Sequence, residues 1–245
     1  MTLWTEIAST RNSSGDEIIL RKREDVYEIR YNGIELMTNL NHQSEEILAE
    51  KPILAAGPDV KRLFIGGLGM GFTLRASLDH LPADANIVVC ELIPEIVAWN
   101  RTYFGHLTRY PLEDPRVSVL IGDALDALHQ QCGTYDLILL DTDNGPDYTV
   151  REQNALIYEC LGIHAIRRAL KPGGIACFWS ATRSSTFEAA LDLASWPFKR
   201  EQVNLSNTSA DVEHYIYFVG DAFLQDTDQD TQERRRGSSP RLTVS

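Results

Sequence analysis

"RLFIGGLGMGFTLRA", Arg62–Ala76, carries an apolar run, then Gly66, Gly67, Gly69 and Gly71, then an amphipathic stretch. Apolar run, glycines and amphipathic segment in that order describe a strand, a tight loop and the start of a helix. Glycine at the bend lets the backbone turn sharply and come close to a ligand, and the helix beyond offers free N–H donors. The dinucleotide fingerprint GxGxxG is not met, because Phe72 takes the last glycine place when counting begins at Gly67. GxGxG remains, and Gly67, Gly69 and Gly71 are the candidates for shaping a ligand turn.

Downstream, the same alternation repeats: "NIVVCEL" precedes a helix from about Pro94, "RVSVLIGD" precedes "ALDALHQQ", "YDLILLD" precedes a helix from about Gln153 to Leu170, and "GIACFWS" precedes "TFEAALDLAS". Right-handed crossovers between such strands predict a parallel sheet with helices on both faces. The chain then changes habit. "REQVNLS" and "HYIYFVGD" are strand-like with only polar residues between them, which predicts an antiparallel strand at the end of an otherwise parallel sheet. Upstream, Tyr27, Ile29 and Tyr31 alternate with Glu28 and Arg30 ahead of Asn32-Gly33, a hairpin signature. The expected organisation is a small N-terminal β-domain with a gate segment over 1–55, a Rossmann-like α/β domain over 56–223, and a disordered polar tail over 224–245.

The 245-residue chain can bury a sizeable core, and its formal charge of -12 argues against nucleic acid as a main partner. No apolar run approaches the roughly 20 residues of a membrane span, and "MTLWTEIASTRNSSGDE" lacks the pattern of a secretion signal, so a cytoplasmic protein without membrane association is expected. Cys90, Cys132, Cys160 and Cys177 show no CxxC pairing and read as reduced packing residues.

Acids stand at successive strand ends. Glu91 closes the second parallel strand, where a carboxylate can accept from ribose hydroxyls, and Asp123 follows the third, where it can accept from an adenine amino group or cap the next helix. "LILLDTDNGPDYTVRE", Leu137–Glu152, ends the fourth strand with Asp141, Asp143 and Asn144. The carboxyl edge of an open α/β sheet is where ligands bind, so these features together predict a nucleoside site.

On these residues the chain resembles the spermidine synthase group of the class I S-adenosylmethionine-dependent transferases. The resemblance spans roughly Ile34 to Gly220 and rests on "GGLGMG", "CELIPEIV", "DPRVSVLIGDA", "YDLILLDTDNGP" and "ALKPGGIACFW", with "LMTNLNHQSEEILAE" similar to the gate segment. It implies an S-adenosyl sulfonium donor, S-adenosylmethionine or its decarboxylated form, an amine-bearing acceptor, and a homodimer. Gly67, Gly69, Gly71, Glu91 and Asp123 would hold the donor; Asp141 and Asp143 would orient and deprotonate the acceptor; His42, Asn144 and Tyr148 would line its pocket. The group carries an Asp inside the glycine loop where this chain has Leu68 and Met70 without an acid, and its D-S/T-S/T-D-P becomes Asp141-Thr142-Asp143-Asn144-Gly145-Pro146. Aligned without a gap, Asn144 holds the place of the base; with the loop one residue shorter, Asp143 does. The missing loop acid places methyl transfer slightly ahead of aminopropyl transfer. A nucleoside-binding protein without catalysis is the alternative from another class.

Other patterns carry less. A calcium loop through Asp141, Asp143 and Glu152 would need glycine where Pro146 stands. No histidine falls in a metal-binding spacing, so no metal is expected, and His164 reads as packing. Trp179 ends the fifth strand, where it could wall the pocket or simply pack.

Overall fold

The computed structural model describes residues 2–12, 14–142, 144–204 and 213–221. Two sheets organise them. The first is an antiparallel meander of β1 (Thr5–Arg11), β2 (Glu17–Arg23), β3 (Val26–Tyr31) and β4 (Ile34–Thr38), in that order. Asn32 and Gly33 make its β3–β4 turn with φ of 47° and 79°, the positive values a two-residue hairpin needs. The strand β1 had no counterpart in the sequence expectation.

Helix α1 (Gln43–Ala56) leads to the second sheet, built from β5 (Arg62–Gly66), β6 (Asn86–Glu91), β7 (Val117–Ile121), β8 (Tyr135–Leu140), β9 (Leu170–Ser180), β10 (Phe198–Asn204) and β11 (Glu213–Val219). Its order is β10-β11-β9-β8-β5-β6-β7, with β11 antiparallel to both neighbours and the pairings from β9 to β7 parallel. This is the mostly parallel α/β sheet with one antiparallel strand that the alternation predicts. Helices α2 (Phe72–His80), α3 (Pro94–Trp99), α4 (Ala124–His129), α5 (Cys160–Ala169) and α6 (Ser185–Leu193) are its crossovers.

Strand period explains how the core divides. In β8, Leu137 and Leu139 join the hydrophobic layer containing Leu48 of α1, Leu74 of α2 and Ile96 of α3, together with Ile18 and Ile29 of the small sheet. Ile138 and Leu140 point the other way, into the layer with Leu125 of α4, Ile163 of α5 and Phe187 of α6. Successive side chains of a strand face opposite ways, so a strand covered on both sides must be apolar throughout. Helix α1 packs on α2 and on β8, β9 and β11, bridging from the small sheet to the large one.

Some expectations change. The helix from Gln153 to Leu170 is broken: a 3₁₀ segment runs Glu152–Tyr158, Glu159 is extended, and α5 begins at Cys160. The break brings the Leu156 carbonyl to within 2.1 Å of where a Cβ on Gly162 would sit, an approach only glycine allows. Cys90 and Cys177 are buried as expected of packing residues, but Cys132 and Cys160 are exposed because they lie outside the strands. The expected tail, 224–245, lies outside the described residues. Among the described residues no helix is long and apolar enough to cross a membrane.

Phe178 on β9 is fully buried and packs its ring edge against Phe187 of α6 at 4.9 Å. Phe178→Ala is expected to lower unfolding free energy by about 3–5 kcal/mol, the usual cost of an aromatic-sized void, with an unchanged urea m-value.

Candidate functional site

The chain passes from β5 outward to β6 and β7, then returns across the sheet to β8, so β5 and β8 are neighbours whose following loops part in opposite directions. Such a switch point opens a crevice at the carboxyl edge. Here it holds a cavity of about 550 Å³, within the range of small-molecule sites. The cavity is roofed by Glu35–Thr38 of β4, Asn41 and Glu45.

The glycine loop forms the cavity floor. Asp141 N–H donates to the Gly66 carbonyl at 2.8 Å, which draws the two strand ends together. Gly67 follows at φ 89°, and a Cβ there would lie 2.2 Å from the Asp141 carbonyl oxygen, so only glycine fits. Gly69 lines the cavity beneath the thioether of Met37, whose sulfur would be 2.6 Å from an added Cβ. Gly71 caps α2 in the left-handed region, φ 86°, and is not in the cavity wall. Leu68 and Met70 are buried in the core. Their side chains point away from the ligand space, so the absence of an acid at 68 and 70 says nothing about the ligand's tail.

Glu91 is buried at the end of β6, and its two carboxylate oxygens accept from Leu68 N–H and Ile93 N–H, both at 2.9 Å. Burial pushes its carboxyl above the usual range while these backbone donors pull it down. The backbone N–H groups of Leu92 and Gly69 act on the same carboxylate, so a ligand hydroxyl would share its oxygens with main-chain donors. Asp123 caps α4, with Oδ1 accepting from Leu125 N–H at 2.9 Å and Asp126 N–H at 3.2 Å, while Oδ2 pairs with Arg151 at 2.7 Å. Capping and cavity lining coexist there, and a ligand amino group would share Oδ2 with Arg151 or displace it.

Asp141 and Asn144 line the cavity, as does the largely exposed Tyr148; Asp143 lies outside the described residues. Thr73 Oγ1 donates to Asp141 Oδ2 at 2.6 Å. Burial nevertheless pushes the Asp141 carboxyl up to about 6. His42 does not reach this cavity: it stacks on Phe72 at 4.1 Å between ring centroids, pairs with Glu46 at 2.9 Å, and lines a separate depression. The gate residue that enters is Glu45, on the first turn of α1, which sequence reasoning passed over. A capping-position acid ahead of an apolar run looks like an ordinary N-terminal helix charge, and nothing local marks it as buried. Burial, and then the Asp141 charge, push Glu45 up to about 8. Trp179 and His214 complete that wall.

Glu35, Glu45, Glu91, Asp123 and Asp141 supply the carboxylates of the cavity, and Arg151 is its one Lys or Arg among the described residues. The field suits a cation. Among the described residues no group of three or more His, Cys, Asp or Glu side chains could hold a metal ion.

Comparison with known proteins bears on this architecture. The domain family described as spermine/spermidine synthase domain matches residues 41–218. A spermidine synthase of Dictyostelium discoideum is 29% identical over 135 residues, 54% of this chain and 44% of that protein. Putrescine N-methyltransferase 1 of Nicotiana tabacum is 32% identical over 133 residues, 54% of this chain and 33% of that protein. The chain thus spans less than half the length of either relative. The crystal structure of a Thermotoga maritima spermidine synthase superposes with a TM-score of 0.72 at 20% identity, covering 88% of this chain and 72% of that one, which shows a shared fold.

The Glu45 pair makes stability depend on pH in a definite direction. Glu45 in the folded chain holds a proton that the unfolded chain loses above about 4.5, so its contribution is present at low pH and lost as pH rises toward about 8. Thermal scans are expected to show Tm falling across that window, with a smaller fall in Glu45→Gln.

Proposed function

The chain belongs to the spermine/spermidine synthase domain family, and on that footing we propose that it is a transferase moving an alkyl group from an S-adenosyl sulfonium to an amine of a small polycation. The single observation that carries the proposal is the switch-point cavity, where a glycine cradle and a strand-end acid lie beside a second set of carboxylates. Gly67 and Gly69 would receive the nucleoside, Glu91 the ribose, and Asp123 the adenine edge. The fit is supported by Gly67, Gly69, Glu91 and Asp123 lining one cavity.

The sulfonium supplies the leaving group: sulfur carries a full positive charge and departs as a neutral thioether. The chain must then provide a neutral amine in line. An ammonium cannot attack, so a carboxylate has to accept its proton, and Asp141, raised to about 6, is a better proton acceptor at neutral pH than an ordinary aspartate. Asp143 of the same turn would share in holding the amine, with Asn144 and Tyr148 at the entrance.

Two donors fit this scheme. We place aminopropyl transfer from the decarboxylated donor first, reversing the order expected from sequence. That order rested on Leu68 and Met70, which are core residues, whereas a wall of five carboxylates suits a donor with no carboxylate of its own. Methyl transfer from S-adenosylmethionine is the second reading, supported by the putrescine N-methyltransferase relatives and by glycine, not an acid, at position 69 over Met37.

Incubation with each sulfonium and a panel of diamines and polyamines, followed by mass identification of the nucleoside, separates the two. Methylthioadenosine is the expected product; S-adenosylhomocysteine would instead establish methyl transfer, and failure of both sulfoniums to bind would remove the transferase assignment. Asp141→Asn is expected to lower kcat at least about 100-fold, the usual scale of a lost proton acceptor, with donor affinity within about threefold of the wild type by calorimetry. Asp143→Asn should likewise depress turnover; unchanged kcat would remove Asp143 from the scheme.

A further inference from the structure

Ser44, on the first turn of α1, is fully buried behind the cavity wall. Three polar groups converge on its hydroxyl: Trp179 Nε1–H donates to Oγ at 3.0 Å, His214 Nδ1 lies 2.9 Å away, and Glu45 Oε2 lies 2.5 Å away. Trp179 and His214 also meet edge to face at 4.7 Å, which holds both rings in place. Glu45, Trp179 and His214 line the cavity together with Asp141. Among the described residues no ion pair reaches the Glu45 carboxyl, although it is 7% exposed.

We propose that Glu45 is the specificity-determining contact for an ammonium group of the substrate opposite Asp141, and that Ser44 passes its ionisation state to His214. The proposal rests on the transferase reading above and names the residue that would select a cationic substrate.

The coupling follows from counting protons on one hydroxyl. Serine has one O–H and two lone pairs, and the indole N–H of Trp179 occupies one lone pair permanently. If Glu45 is ionised, the Ser44 hydrogen goes to Glu45, and His214 must offer Nδ1–H to the remaining lone pair. If Glu45 is protonated, its own O–H fills that lone pair, the Ser44 hydrogen turns to His214 Nδ1, and the imidazole proton moves to Nε2. Burial holds His214 down to about 4, so the ring stays neutral and only its tautomer changes.

The groups facing Glu45 set which state prevails. Asp141 at the end of β8 and Glu46 on the same helix both oppose ionisation, and His214 of β11 adds no charge. Glu35, Glu91 and the Asp123–Arg151 pair lie elsewhere in the wall. The empty site therefore keeps a proton on Glu45 at neutral pH. An arriving ammonium keeps its own proton, pairs with the carboxylate, and sends the Glu45 proton to solvent.

The test uses 1,4-diaminobutane as the cation and methylthioadenosine as an uncharged nucleoside, each titrated calorimetrically into the full chain in buffers of different ionisation enthalpy. Diamine affinity is expected to rise about tenfold per pH unit between about pH 6 and 8, with close to one proton released. Nitrogen-15 shifts of His214 should report Nε2–H in the empty protein and Nδ1–H in the diamine complex. Glu45→Gln should weaken diamine binding at least tenfold, abolish the pH slope and proton release, and leave methylthioadenosine affinity unchanged; Glu45→Asp should restore proton release, and Ser44→Ala should uncouple the tautomer from pH. Undiminished diamine binding in Glu45→Gln with nucleoside binding intact, or a His214 tautomer that ignores the diamine, overturns this inference alone. Failure of the wild type to bind either probe overturns both it and the transferase reading.

Discussion

The meeting of β5 and β8 is the constraint from which the rest follows. Adjacent in the sheet but far apart in the chain, they are joined at their ends by the Asp141 N–H to Gly66 carbonyl hydrogen bond, and the next residue, Gly67, passes within van der Waals contact of the Asp141 backbone. That contact needs a residue without a Cβ in the left-handed region. Once made, it puts the glycine loop and the acid-bearing turn in the wall of one crevice. The separation of the glycine loop from the acidic turn is thereby set by backbone, not by adjustable side chains.

The second determinant is uncompensated negative charge. Elsewhere the chain neutralises its acids: buried Glu28 is flanked by Arg21 and Arg30, and half-buried Asp136 by Lys171. In the cavity, Arg151 pairs with Asp123, while the Asp141 charge acts on Glu45. Burying carboxylates without a cation favours their protonated forms, and Glu45 is pushed further in that direction than Asp141.

The strand-end acids and the glycine loop were legible because β-strand period and glycine placement are local signals. The broken segment around Glu159 was not, since the amphipathic pattern runs on through it and the interruption comes from packing Ile157 and Tyr158 under the same sheet face as Ile163. The gate was misjudged for a similar reason. His42 and Glu45 stand three positions apart, and the first residue lies outside the cavity against Phe72 while the second lies inside it. The packing of α1 on β9 and β11 decides that, and no local pattern encodes which face of a helix its distant partners will cover.

By itself, the sequence determined the alternation of strands and helices from β5 to β9, an antiparallel strand late in the chain, and the residue types at each strand end, because these depend on period, glycine and residue type along a few contiguous positions. Only the tertiary structure decided that Leu68 and Met70 belong to the core, that Asp123 shares its carboxylate between a helix cap and Arg151, and that Ser44, Glu45, Trp179 and His214 form one hydrogen-bonded unit. Those facts join residues up to 170 positions apart, and such contacts exist only once two packed layers have closed around the sheet.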